Sequence, residues 1–270
     1  VCSEAASLAG HNKLDNIVCF YDDNHITIEG ATDLAVSRED VGKRFEAYGW
    51  NVMKIDGHNV EQIEDALGKA TAHTGQPTLI IGRTTIGYGA PNLAGDAATH
   101  GAALGEEEVA ATKKALGFDP NDHFVVPEEC RDFCAKRVEE LKKEARAWTD
   151  RVDAFKKEHP EKGQLLDQLT NKPLPDNLCG ELRKTVEGKE TSSRKSGGAV
   201  MQRLAELVPA LTGGAADLAP STKTYLEAES DFCPENYAGR NLHFGVREFA
   251  MGLCANGMAL YGTTIPYTAT

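Results

Sequence analysis

Residues 51–84, NVMKIDGHNVEQIEDALGKATAHTGQPTLIIGRT, predict the fold of this chain. The segment opens with the strand pattern NVMKIDG (51–57), continues with the helical spacing of VEQIEDALGKATAHTG (60–75), and closes with the apolar strand PTLIIGRT (77–84). A strand, a helix and a second strand in this order form a right-handed βαβ unit with parallel strands. The segment therefore predicts an α/β fold in which helices cover a parallel sheet.

The residues before this segment repeat the same alternation. A helical opening at about Ser3–Lys13 leads into the strand NIVCFYD (16–22) and the helix REDVGKRFEAYG (38–49). Ligands of open parallel sheets bind at the carboxyl ends of the strands. We therefore expect the chemistry in the two loops that leave these ends, YDDNHITIEG (21–30) and TTIGYGAPNLAGDAATHGAAL (84–104).

A charged, helical segment follows, from about Pro127 to Asn171. Apolar residues recur in it with spacings of three and four, which draws one stripe along a long helix. We favour a linker helix that lies on a domain surface over a coiled coil. The stripe consists of Cys134, Val138, Leu141, Ala145, Trp148, Val152 and Phe155.

The polar segment 170–195 contains several helix breakers and predicts a domain boundary. A second α/β pattern follows it, with a helix around GAVMQRLAELV (198–208), the strand NLHFGV (241–246) and the helix REFAMGLCANGMALYG (247–262). The sequence thus predicts two parallel-sheet domains, each incomplete, joined by a long helical linker. The expected ranges are 1–125, 126–193 and 194–270.

Composition excludes several classes of partner. The formal net charge is −12, from 29 basic and 41 acidic residues, and the pI is near 5.2. Binding to nucleic acid or to an anionic membrane surface requires a basic face, so we expect neither. No apolar run reaches the roughly 20 residues that span a bilayer, so we expect a soluble protein. The seven cysteines fit a reducing compartment, and we interpret Cys130 and Cys134 as plain thiols.

Four features indicate chemistry, and each also has an ordinary structural explanation. Asn24 and the carbonyl of Ile26 lie in a turn rich in oxygen atoms, which suits Mg²⁺ or Ca²⁺, although Asp and Asn are also common turn residues. GGAADLAPS (213–221) is interpreted as a Gly-rich loop that offers N–H groups to an anion. Glu248 begins an apolar helix, where we expect partial desolvation, and His100 lies in a Gly- and Ala-rich loop.

These motifs occur together in one known family. The sequence resembles transketolases, the thiamine diphosphate enzymes, of the bacterial and plant type, over essentially its whole length. The resemblance is carried by EAASLAGHNKLDNIVCFYDDNHITIEG, RFEAYGWNV, TTIGYGAPN, THGAALG, SRK, GGAADLAPS, FGVREFAM and PYTAT.

The resemblance implies a role for each matched residue. Asn24, through its side chain, and Ile26, through its carbonyl, match the ligands of the divalent metal that holds the cofactor's diphosphate. Glu248 matches the glutamate that hydrogen-bonds the cofactor's aminopyrimidine ring. His100 matches a histidine that touches both the cofactor and the substrate.

Arg194 and Ser221 match residues that bind the sugar phosphate, although Arg194 could also be a solvated linker charge. Asp217, Ile28 and Ile86 match positions that could touch the cofactor. A turn aspartate and two core isoleucines would explain these last three residues almost as well.

The resemblance also implies a function. A transketolase moves a two-carbon ketol unit from a ketose phosphate to an aldose phosphate, in the pentose phosphate pathway or the Calvin cycle, and works as a homodimer with its active site between subunits. Its location would be the cytoplasm or the plastid stroma. The alternatives are a related thiamine diphosphate enzyme, such as deoxyxylulose phosphate synthase or dihydroxyacetone synthase, and a short non-catalytic paralogue that acts as an assembly partner.

One family ligand of the metal has no counterpart here. The family carries an aspartate in a Gly-Asp-Gly segment roughly 30 residues before the matched asparagine, one βα step earlier, whereas 23 residues precede Asn24. The chain begins at Val1 and ends within IPYTAT, so we expect it to be a central fragment. We therefore expect this chain alone to bind thiamine diphosphate weakly and to be inactive.

Overall fold

The structure is a computed structural model that describes residues 2–270. It divides into two compact units. The first unit is Ala9–Cys134, and the second unit comprises the residues up to Leu8 together with Ala135–Thr270. Each unit contains a three-stranded parallel sheet, which confirms the predicted α/β class. Among the described residues, no helix has both the length and the apolar character needed to cross a membrane.

The first unit is built on a parallel sheet whose central strand comes last in the sequence of the three. The strand order is β1-β5-β4, and both outer strands pair in parallel with β5. Five of the six residues of β5 are buried. The elements are α1 (Cys2–His11, which begins before this unit), β1 (Val18–Asp23), β2 (Ile26–Thr27), β3 (Gly30–Ala31), α2 (Asp33–Val36), α3 (Val41–Ala47), β4 (Asn51–Asp56), α4 (Val60–Ala72), β5 (Thr78–Arg83) and α5 (Glu106–Ala115).

Local capping explains where the two helices around β4 begin. The Asp40 carboxylate accepts a hydrogen bond from the backbone N–H of Lys43 at 3.1 Å, and the Asn59 side chain accepts one from Gln62 at 3.0 Å. Each bond satisfies a donor that the first helical turn leaves without an intrahelical partner. Helix α4 then packs small residues on the sheet, where its two buried alanines contact Ile80. The strand–helix–strand prediction for residues 51–84 is thereby confirmed.

The second unit repeats the parallel arrangement. Its strand order is β7-β6-β8, and β6 pairs in parallel with both neighbours. Its elements are α6 (Glu128–Glu158, which begins in the first unit), α7 (Pro160–Asn171), α8 (Leu178–Lys184), α9 (Ser193–Leu207), β6 (Leu211–Ala215), α10 (Ala219–Thr222), β7 (Asn241–His243), α11 (Glu248–Tyr261) and β8 (Ile265–Ala269).

The prediction of a Gly-rich loop at GGAADLAPS (213–221) is wrong for its first residues, because both glycines belong to the central strand β6. Gly213 pairs with Tyr267 on one side and with Asn241 on the other, and Gly214 pairs with Thr268 and Leu242. A Cβ atom at Gly214 would overlap the carbonyl oxygen of Leu242. The glycines therefore allow close approach of neighbouring strands, and only residues 216–218 connect β6 to α10.

A half-buried arginine, Arg240, joins the start of β6 to the end of the preceding helix α9. The Arg240 guanidinium donates to the carbonyl oxygens of Leu211, Ala205 and Val208 at 2.8, 3.1 and 3.0 Å. It also forms an ion pair with Glu229 at 2.7 Å. The planar fork of donors lets one side chain satisfy the C-terminal carbonyls of α9 and the first carbonyl of the strand.

The predicted long helix is present as α6, but its apolar stripe does not pack as expected. No residue of α6 is buried. The exposed fraction is 62% for Trp148, 46% for Val138 and 45% for Leu141. The expectation that this stripe lies against a domain surface is therefore wrong for this chain, in which six of its seven residues are exposed and Val152 is half-buried.

The strand position of Gly214 predicts a large effect for Gly214→Ala. The added methyl group must displace the β7 backbone, and overpacking of this kind costs about 3 kcal/mol of unfolding free energy. Urea unfolding followed by circular dichroism measures the change. The matched control is Gly257→Ala in α11, where a Cβ meets nothing within 4 Å and where alanine should stabilise the helix by up to about 1 kcal/mol. Equal effects of the two substitutions would contradict the strand assignment.

Candidate functional site

The turn after β1 places two of the expected metal ligands together. The side-chain oxygen Oδ1 of Asn24 accepts a hydrogen bond from the backbone N–H of Ile26 at 2.9 Å. Between them, His25 has a φ of 60°, in the left-handed region that few side chains adopt. Strained residues of this kind cluster at functional sites. The bonded turn fixes the Asn24 side chain at the carboxyl end of the strand.

The turn fits a hard divalent cation in the type of its donors but supplies only part of an octahedral set. The nearby carboxylates already have partners, because Asp22 accepts from the Thr84 hydroxyl and Asp23 Oδ2 lies 3.1 Å from His25 Nε2. Within residues 2–270 no group of three or more His, Cys, Asp and Glu side chains is placed to hold a metal. The turn is therefore at most one part of a metal site.

A cavity of about 680 Å³ opens at the carboxyl ends of β1, β4 and β5. Its charged lining includes Asp23, Lys54 and Arg83. Burial raises the pKa of Tyr21 in its wall, and the neighbouring Asp23 carboxylate raises that pKa further. The Arg83 guanidinium donates to the carbonyl oxygens of Asp23 and Thr84 at 2.7 and 3.0 Å. Arg83 was not predicted from the sequence, although a single cation at the end of the buried strand β5 was a usable signal.

His100 and Ile86 lie in the loop of residues 84–100 that leaves β5. His100 directly follows a short 3₁₀ helix, Ala97–Thr99, and its N–H donates to the Ala97 carbonyl at 3.0 Å. The Asp96 carboxylate caps this helix by accepting from the N–H of Ala98 at 2.8 Å. Ile86 is half-buried, and its carbonyl accepts from Gly95 N–H at 2.8 Å. The loop is thus internally bonded, and the His100 side chain is exposed.

A buried glutamate ties this loop to the following helix. Glu108, in the first turn of α5, is 9% exposed. Its two oxygens accept from the backbone N–H and the side-chain amide of Asn92 at 2.9 and 2.8 Å. These hydrogen bonds favour the charged form and lower the pKa of the Glu108 carboxyl, the side-chain amide of Asn92 contributing most.

In the second unit, Glu248 is the first residue of α11, as expected. The Glu248 side chain is exposed in this chain, so the expected partial desolvation is not found. The helix receives its cap from a residue far away in the sequence, because Glu4 Oε2 accepts from the N–H of Ala250 at 3.0 Å. Arg247 donates to the hydroxyl of Ser7 at 3.0 Å. Two side chains of α1 therefore hold the start of the Glu248 helix.

Asp217 lies just beyond the carboxyl end of β6, with a φ of 59°. It lines a cavity of about 380 Å³ together with Tyr225 and His243. Asp231 Oδ1 lies 2.8 Å from His243 Nε2 and accepts from the Tyr225 hydroxyl at 3.0 Å. These bonds lower the pKa of the Asp231 carboxyl, the His243 bond contributing most, and the same carboxylate raises the pKa of Tyr225. This hydrogen-bonded group was not predicted from the sequence.

The matched residues thus form local groups within each unit. In the first unit, Asn24, Ile26 and Ile28 share one turn, and Ile28 is 75% exposed, so it is not a core residue. In the second unit, Asp217 lies on the short connection after β6, and Ser221 is exposed in α10, which follows that connection. Arg194 is exposed in the first turn of α9.

Two family models match the chain. The model described as "Transketolase, thiamine diphosphate binding domain" matches residues 1–175. The model described as "Transketolase, pyrimidine binding domain" matches residues 189–270. Together they cover the strands of both sheets, and residues 176–188, which include α8, lie outside both matches.

Individual relatives agree with the family models. The chain is 46% identical over 265 residues to a transketolase of Geobacillus stearothermophilus, with 97% of this chain and 39% of that relative covered. A crystal structure of transketolase from Campylobacter jejuni superposes with a TM-score of 0.88 and 41% identity, over 99% of this chain and 40% of that one. A crystal structure of transketolase from Pichia stipitis in complex with sedoheptulose 7-phosphate superposes with a TM-score of 0.93 and 35% identity, over 99% of this chain and 41% of that one. The chain thus spans about two fifths of the length of these relatives.

The Glu108 contact predicts that acid loosens the loop that carries His100. Because the pKa of Glu108 is lowered in the folded state, its contact stabilises the loop fully at pH values above the ordinary glutamate pKa of about 4.3. This stabilisation is lost as the pH falls through the folded-state pKa. Hydrogen exchange of the amides of residues 92–100, corrected for intrinsic rates, should therefore lose protection in acid. The variant Glu108→Gln cannot ionise and should show no such step. A step that persists in this variant would assign the effect to another group.

Proposed function

Because the chain belongs to the transketolase family, we propose that the protein carrying these residues transfers a two-carbon ketol unit from a ketose phosphate to an aldose phosphate. Xylulose 5-phosphate and ribose 5-phosphate are the expected donor and acceptor. The supporting observation is the position of the matched side chains, all of which except Arg194 follow the carboxyl end of a parallel strand. Parallel sheets bind ligands at that edge.

Thiamine diphosphate, when bound, supplies the stabilised carbanion chemistry that ketol transfer requires. Glu248 is proposed to hydrogen-bond the aminopyrimidine ring and to hold a proton there. Its place at the start of α11 supports this role, because its exposed carboxyl group follows the carboxyl end of β7, where a ligand can reach it. The left-handed backbone of Asp217 and the exposed side chain of Ile28 support contacts of these residues with the cofactor, and half-buried Ile86 is proposed as a third contact.

His100, Arg194 and Ser221 are proposed to bind the sugar phosphate. The His100 imidazole would hydrogen-bond the sugar hydroxyls and move protons at them, and it would also touch the cofactor. The Arg194 guanidinium fits a phosphate through two parallel N–H bonds, and the Ser221 hydroxyl adds a third donor. The complexes of the Pichia stipitis transketolase with sedoheptulose 7-phosphate and xylulose 5-phosphate support this substrate class.

Asn24 and Ile26 are proposed as two ligands of a divalent cation, Mg²⁺ or Ca²⁺. The bonded turn supports this because it holds the Asn24 side chain beside the Ile26 backbone. The protein is further proposed to act as a homodimer, with its active site at the subunit interface, in the cytoplasm or the plastid stroma. The pathway would be the pentose phosphate pathway or the Calvin cycle.

A donor comparison tests the proposed reaction. The natural protein that carries these 270 residues, supplied with thiamine diphosphate and Mg²⁺, should use xylulose 5-phosphate as donor and should not use pyruvate. Turnover of pyruvate instead would favour a deoxyxylulose phosphate synthase. Turnover of neither donor would favour a non-catalytic assembly partner.

The proposed phosphate contact predicts a selective effect of Arg194→Ala in the same protein. Loss of a charge-assisted bond worth roughly 1.5–3 kcal/mol should raise KM for xylulose 5-phosphate by about tenfold or more. The value of kcat/KM for xylulose, which has no phosphate, should change little. The control Arg183→Ala removes an exposed arginine of α8 to which no role is assigned. Equal losses with both sugars would remove Arg194 from the phosphate site.

A further inference from the structure

The turn between β4 and α4 contacts the start of the loop of residues 84–100. The backbone N–H of Gly57 donates to the Arg83 carbonyl at 2.8 Å. A Cβ atom at Gly57 would lie 3.1 Å from that same oxygen, so the glycine allows the close approach. The turn and the loop are thus joined where the loop leaves the sheet.

His58, the next residue of the turn, makes two contacts with the loop. Its ring nitrogen Nε2 accepts a hydrogen bond from the backbone N–H of Thr85 at 2.8 Å. Its ring stacks on that of Tyr88, with centroids 4.0 Å apart and planes at 20°. Ile86 therefore lies in the sequence between Thr85 and Tyr88, both of which contact the His58 imidazole.

The hydrogen bond defines the protonation of the ring. A nitrogen that accepts from an N–H cannot carry a proton, so the ring is neutral and its single proton is on Nδ1. The protonated ring would have donors at both nitrogens and could not accept from Thr85.

The turn that carries His58 is itself rigid. The Asp56 carboxylate accepts from the N–H of His58 at 2.9 Å, and the N–H of Asp56 donates to the Gln62 side chain at 2.9 Å. Asn59 caps α4 immediately afterwards. The imidazole is therefore presented from a fixed backbone, as a positioning group requires.

We propose that His58 is a positioning residue for the loop of residues 84–100, which it fixes by accepting from Thr85 and stacking on Tyr88. Glu108 holds the middle of this loop through Asn92, so His58 and Glu108 anchor it at two points. The anchored loop carries His100 and Ile86. That the anchoring positions these two residues for substrate and cofactor rests on the proposed function, whereas the anchoring itself does not.

Two variants distinguish the contribution of the hydrogen-bond acceptor of His58 from that of its aromatic ring. His58→Phe keeps an aromatic face for Tyr88 and removes the acceptor, whereas His58→Gln restores an acceptor oxygen at a similar reach. Loss of one hydrogen bond should speed hydrogen exchange of the Thr85 amide in His58→Phe by about tenfold. In His58→Gln the rate should stay within about threefold of the parent chain. His123→Phe is the matched control, because His123 is exposed and has no hydrogen bond among the described residues.

The test is made on this 270-residue chain, and its readouts do not depend on activity. The ring nitrogens of His58 in the unsubstituted chain should show the tautomer with the proton on Nδ1 in ¹⁵N NMR spectra, which requires no variant. A proton on Nε2 would overturn the proposal. An unchanged Thr85 exchange rate in His58→Phe, or equal acceleration in His58→Gln, would also overturn it. Absence of ketol transfer by the natural protein that carries these residues would overturn the proposed function while leaving these results intact.

Discussion

In each unit one central strand pairs in parallel on both sides, and the rest of the structure depends on this pairing. Strand β5 lies between β1 and β4, and β6 lies between β7 and β8. Parallel strands all end at the same edge of a sheet, so their following loops converge there. The turn with Asn24, the loop with His100 and the connection with Asp217 are placed at these edges by that geometry rather than by any sequence proximity.

The loops at these edges are held by polar contacts between distant parts of the chain. Glu108 fixes Asn92, and Glu4 caps the helix of Glu248 across 246 positions of sequence. Hydrogen bonds to charged groups are stronger than those between neutral groups, which suits them to ordering loops that have no core of their own. The positions of the matched residues are therefore set partly by side chains that have no chemical role themselves.

The sequence predicted the elements whose signal is local. The strand at 77–84 is an apolar run, and the helix at 60–75 has the correct period, so both were predicted. Strand β6 was partly misread, because Gly213 and Gly214 have the composition of a loop and their strand role depends on the neighbouring backbones. The exposure of Glu248 likewise depends on packing that no short sequence window contains.

The candidate site followed the same division. Motifs of the resemblance led to the candidates Asn24, His100 and Asp217, whereas Arg83, His58 and the His243–Asp231 pair were not predicted, because their hydrogen-bond partners are distant in sequence. A histidine that accepts from a backbone N–H 27 residues away leaves no pattern in the sequence.

The proposed ketol transfer is tested by following the carbon atoms of the substrate. A ketose phosphate labelled with ¹³C at C1 and C2 is incubated with an aldose phosphate and the natural protein that carries these residues, and the products are examined by NMR. Ketol transfer predicts that both labels appear together, still bonded, at C1 and C2 of a new ketose phosphate. Transfer of a three-carbon unit, or separation of the two labels, would contradict it.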